Sequence, residues 1–134
     1  MNKTIHKAVF VTIVALVGAA VPLRAHHSFA AEFDVTKSVN FSGVVTRLDW
    51  GYPHVWFFVD VKDEASGNVT NWGAEMSAPN VLIRNGWTRN TLKVGMLVTF
   101  TGSLARDGSH RVSASRIVVD GKRLDAASGE GAGR

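Results

Sequence analysis

The stretch Ser77-Ala78-Pro79-Asn80-Val81-Leu82-Ile83-Arg84-Asn85-Gly86 decides the fold. A serine suited to capping, a proline in the first turn and a glycine at the far end predict one short helix. On either side the sequence changes to short apolar alternations broken by turn residues, the pattern of an all-β domain. Before the helix, Val69 to Met76 reads as a strand, reached through the turn chemistry of Ala65-Ser66-Gly67-Asn68 from the apolar and aromatic run His54 to Val61 (HVWFFVDV). Phe41 to Trp50 precedes these as a half-buried strand, with Val44, Thr46, Leu48 and Trp50 on one face and Arg47 and Asp49 on the other. After the helix, Met96, Val98, Phe100, Gly102 and Leu104 share a face, and Asp107-Gly108 is a hairpin signal. The last strand, Arg111 to Val119, changes phase between Ala114 and Ile117, which predicts a bulge near Ser115. Three strands, a helix and two strands is the order of the OB-fold, a small Greek-key barrel. A five-stranded sandwich is the competing architecture.

The ends of the chain carry other information. Lys3 and Lys7, an uncharged run of 14 residues from Ala8 to Val21, and then Pro22-Leu23-Arg24-Ala25 follow the order of a secretory signal peptide. The run is shorter than the roughly 20 residues a membrane helix needs. Cleavage is expected after Ala25, with Ala20 as the alternative because Leu23 is large for its position. Residues 26–124 then form a single OB-like domain, with 26–40 as a lead-in, and 125–134 form a small, polar, disordered tail. The expectation is a periplasmic or secreted protein with no membrane insertion once the signal is removed. Lys3, Lys7 and Arg24 leave with it, so the formal charge of +4 falls to +1. The basic excess therefore gives no support to nucleic acid as a partner. No cysteine is present, so the core must stabilise the domain without disulfides.

No hydrolase elbow, phosphate loop or dinucleotide fingerprint occurs, and the expectation is a protein without catalytic activity. Three histidines are candidates for metal chemistry. Cleavage after Ala25 would make His26 the N-terminal residue, with an α-amine and a ring nitrogen for one ion. His27 and His54 could supply further nitrogens to a site suited to copper. Gly51-Tyr52-Pro53 places His54 at the entrance to the second strand, and Glu75 and Met76 are possible further donors. Exposed histidines in a lead-in are also simply solvated, and His54 can serve the turn alone. His110 falls at a hairpin tip, where an exposed polar residue needs no special role. Trp50, Tyr52, Trp56, Phe57, Phe58, Trp72 and Trp87 raise stacking as a second possibility, since OB barrels bind oligonucleotides or sugars on an aromatic strand face. Core packing competes for most of them, because a small barrel needs large side chains for its own interior.

His26-His27-Ser28-Phe29-Ala30-Ala31-Glu32-Phe33-Asp34, Tyr52-Pro53-His54, Trp72 with Glu75, Ala78-Pro79-Asn80, Arg84-Asn85-Gly86-Trp87 and Asp120-Gly121-Lys122 occur in this order. Together they resemble the bacterial exported proteins of unknown function grouped as DUF6152. The resemblance spans essentially the whole chain after the signal and implies a small exported β domain, without implying an activity. In that family the residue before Pro-His is typically asparagine, where this chain has Tyr52. The matching histidines are His26, His27 and His54.

The sequence thus leads to a small exported barrel that binds an unknown small ligand or protein partner and uses no cofactor. Its ligand-binding residues are expected to be His54, Glu75, Trp56 and Trp72, near the barrel end where His54 and Glu75 meet the N-terminal segment. The alternative is a copper-binding protein using His26, His27 and His54, for metal handling or a redox reaction.

Overall fold

The computed structural model describes residues 29–126. The expected signal segment, both expected cleavage points, His26, His27 and residues 127–134 lie outside the described residues. Element order is α1 (Phe29–Glu32), β1 (Phe33–Asp49), β2 (Trp56–Lys62), β3 (Val69–Glu75), α2 (Pro79–Arg84), β4 (Leu97–Ala105), β5 (Arg111–Val119) and β6 (Lys122–Asp125).

Five strands close on themselves. β1 pairs antiparallel with β2 and with β4, β2 with β3, and β4 with β5. The ring is completed by a parallel pairing of β3 with β5, Gly73 opposite Arg111 and Glu75 opposite Ser113. The domain is all-β in the expected OB-like order, with the helix between β3 and β4. The apolar run of β2 resolves into alternation: Val55, Phe57 and Val59 are buried, while Trp56 and Phe58 are half-buried on the outer face. Phe57 meets Phe100 of β4 edge to face at 5.3 Å in the core, a favoured aromatic geometry. Leu82 of α2 and Trp87 just after it join the same core.

Four details differ from the sequence reading. β1 begins at Phe33, so most of the expected lead-in is strand; its residues 35–38 are all exposed, and a register shift between Asp34 and Ser38 hides the alternation. A second shift between Val45 and Arg47 leaves Thr46 as an extra residue. It reverses the phase, so Val45 is buried while Val44 and Thr46 face outward. Ser77 does not cap α2. Ala78 holds that position, and the main chain of Ser77 instead bonds Ala126 and Val55, while its buried hydroxyl has no partner among the described residues. Finally, a sixth strand extends the sheet: β6 pairs with β5, Leu124 and Ala126 are buried, and Asp125 and Ala126 belong to the fold rather than to a disordered tail. The bulge near Ser115 is present, since Arg116 pairs with Thr101 and Ala114 with Gly102.

Candidate functional site on the outer face of β2 and β3

His54 is aimed by its neighbour. Val55 is fully buried, its N–H donates to Ser77 O at 3.2 Å and its carbonyl accepts Met76 N–H at 2.8 Å. These bonds extend the β2–β3 ladder one step beyond the strands and force His54 and Trp56 to the opposite, outer side. Glu75, the register partner of Trp56, points the same way. His54 Nδ1–H therefore donates to Glu75 Oε1, and Nε2 has no partner among the described residues. The side chain of Glu75 is 12% exposed, that of His54 44%. Burial pushes the Glu75 carboxyl above the usual glutamate range; the nearby charge of Glu32 adds to the rise, while His54 and Arg111 oppose it.

Beyond this pair, cross-strand registers lay out two rows. One runs Asp49, Trp56, Glu75 and Ser113 across β1, β2, β3 and β5; the next runs Arg47, Phe58, Gly73 and Arg111. The Trp56 and Phe58 rings lie 22° from parallel with centroids 6.4 Å apart. Gly73 contributes no side chain beneath them, and a Cβ there would sit 3.2 Å from Phe58 Cε1 and 3.6 Å from Trp56 Cζ3. The guanidinium of Arg47 lies 3.7 Å over the Phe58 ring. Asp49, Asn71, His110 and Arg111 rim a hollow of about 450 Å³ over this surface.

Both arginines are already bound by carboxylates. Arg47 pairs with Asp49 at 3.1 Å, and Arg111 with Glu32 at 2.8 Å and Asp107 at 2.9 Å. Asp107 is held down to about 2 by hydrogen bonds from the hydroxyl and amide of Ser109, and then by Arg111. Glu32 comes from α1, which Arg106 ties down by donating Nε–H to Ala30 O at 2.8 Å. A second hollow of about 470 Å³ lies between α1 and the β4–β5 turn, and Arg111 borders both.

Of the residues expected at the site, His54, Glu75 and Trp56 come together. Trp72 faces inward instead, against Phe41 at 4.7 Å and the His110 ring at 5.0 Å. Met76 is buried in the core and turned away from His54. His26 and His27 lie outside the described residues. Among the described residues, no three His, Asp or Glu side chains gather at metal-ligand spacing. Glu32, Asn71, His110 and Arg111 border this surface in addition to the residues expected there. The bond of Arg111 to Glu32 joins residues 79 apart in the chain, for which no local pattern exists.

A family model described as a family of unknown function, DUF6152, matches residues 14–114. The chain belongs to DUF6152. No curated protein and no solved structure matches it. The segment matched to DUF6152 contains His54, Glu75, both rings of the outer face and Arg111, and ends inside β5 before β6.

Proposed function

We propose that this DUF6152 chain is a non-enzymatic binding module, exported to the periplasm or secreted, whose working surface is the outer face of β2 and β3. The observation that carries the reading is the His54–Glu75 pair set beside Trp56. A partly buried carboxylate fixing a half-exposed imidazole next to surface aromatic rings supplies oriented polar groups around an apolar platform, the composition of a small-ligand site. The absence of a nucleophile elbow or cofactor fingerprint from the sequence supports binding over catalysis. The test is to add the low-molecular-weight fraction of an envelope extract to the isotope-labelled protein and follow its amide and indole resonances. Shifts should centre on Trp56, Gly73 and Glu75. Shifts confined to the outer face of β1 and β4 would defeat the assignment.

A second reading, copper binding through His54 with His26 and His27, draws on one observation. Metal-ligating histidines commonly donate their other ring N–H to a carboxylate, as His54 does to Glu75. Copper titration of the exported protein against its His54→Ala variant tests it, after mass spectrometry has fixed the mature N-terminus. Equal affinity in the two proteins removes His54 from the site, and a start at Val21 removes the α-amine of His26.

A further inference from the structure

The charge arrangement of the outer face narrows its ligand. Single-stranded nucleic acid needs stacking rings together with cations free to meet phosphate. Here the rings are present, but both guanidiniums are already occupied: Arg47 by Asp49, and Arg111 by Glu32 and Asp107. An entering phosphate would meet arginines whose charge is already offset by carboxylates, and would face Asp49 and Glu75 on the same row. An uncharged ligand faces neither penalty. Neutral hydroxyls are at once donors and acceptors. The rim offers both kinds of partner in fixed positions, with Asn71 held by Asp60 at 2.7 Å and Arg111 held on two sides. The aromatic faces of Trp56 and Phe58 carry negative quadrupole potential, which favours weakly positive C–H groups laid against them. Equatorially substituted pyranoses have this form: C–H bonds on the ring faces and hydroxyls around the edge.

We propose that the hollow over Trp56, Phe58 and Gly73 is a binding site for an uncharged saccharide chain. A sugar ring lies on Trp56, bordered by Phe58, whose ring Arg47 already covers, while Asp49, Asn71 and Arg111 take the edge hydroxyls. The inference rests on the binding-module reading and specifies its ligand class. At about 450 Å³ the hollow falls within the range of about 300–1,000 Å³ typical of small-ligand clefts. Asp49 is 53% exposed and Trp56 and Phe58 are half-buried on the outer face, so each can be truncated without opening the core.

The test follows the Gly73 amide resonance of the full exported chain, and of its Trp56→Ala and Asp49→Ala variants, during titration with cellotetraose, chitotetraose and, separately, a ten-residue oligothymidylate. At least one saccharide should shift it with a dissociation constant of about 1 mM or tighter. Trp56→Ala should weaken binding at least tenfold and Asp49→Ala severalfold. The proposal is overturned if neither saccharide binds at about 10 mM, or if saccharide binding survives Trp56→Ala unchanged. It is also overturned if only the oligonucleotide shifts the resonance; that result changes the ligand class and leaves the binding module standing. If neither saccharide nor oligonucleotide binds, the envelope-extract experiment separates the two ideas: shifts on this face sink only the saccharide, and none sinks both.

Discussion

Replacing Trp87 by Phe tests whether β6 is an integral part of the domain. Trp87 is 1% exposed, and its indole N–H donates to Asp125 O at 2.7 Å, tying the segment after α2 to the end of β6. Phenylalanine keeps the apolar ring and removes the donor. Losing the bond costs about 1 kcal/mol, and more if the carbonyl is left dry. The smaller ring vacates roughly 40 Å³, worth about 1 kcal/mol at about 24 cal/mol per Å³ of cavity. The expected loss is therefore about 2–3 kcal/mol, or a fall in Tm of roughly 10–20 °C for a domain of this size. Urea unfolding should show a lower midpoint with an unchanged slope. Amide exchange should accelerate at Ala126, whose N–H bonds Ser115 O at 3.0 Å, and at Ser77, which bonds Ala126 O at 2.9 Å. In a chain ended after Leu124 the same substitution should cost about 1 kcal/mol less, because the acceptor has gone. A loss below about 0.5 kcal/mol in the full chain, or equal losses in both chains, would refute the claim that this bond fastens β6.

Three further outcomes follow from the same geometry. Because burial raises the Glu75 carboxyl above its ordinary value of about 4.3, the folded chain binds more protons than the unfolded chain between the two values, and stability falls as pH rises through that window. Glu75→Gln keeps an acceptor for His54 without the charge, so its stability relative to wild type should improve over that rise; a difference independent of pH in urea midpoints from pH 4 to 7 would contradict it. Carboxyl NMR should place Asp107 at about 2 and move it upward in Ser109→Ala, which removes the hydroxyl donor but keeps the amide. Gly102→Ala should destabilise by at least about 1–3 kcal/mol in urea unfolding, because a Cβ there falls directly on the Ser113 carbonyl across the β5 bulge; a loss under about 0.5 kcal/mol would show that the strands can separate there.

The parts of this fold that were legible in the sequence are those whose periodicity is local. β4 shows its buried face through Val98, Phe100 and Gly102, and the Ser115 bulge announces itself as a phase change within β5. Pro79 and Gly86 mark the helix, but its cap is not Ser77, whose main chain continues the β2–β3 ladder to Val55 and also bonds Ala126, which no local pattern connects to it. The same distinction divides the site. His54, Trp56 and Glu75 could be read together because they flank one antiparallel hairpin, where alternation alone fixes the face. Trp72 was misplaced by one residue of parity: it pairs with Val59 on the inner side, next to Gly73 on the outer. Arg111 could not be read at all, because only the parallel closure of β5 on β3 brings it beside Gly73. That closure changes the chemistry of the face. With Trp56 and Phe58 alone, the surface is a stacking platform that any base could use. Adding Arg111 brings in Glu32 and Asp107 as its bound carboxylates, and a cation whose charge they offset still offers its remaining N–H donors to a hydroxyl while attracting a phosphate less strongly.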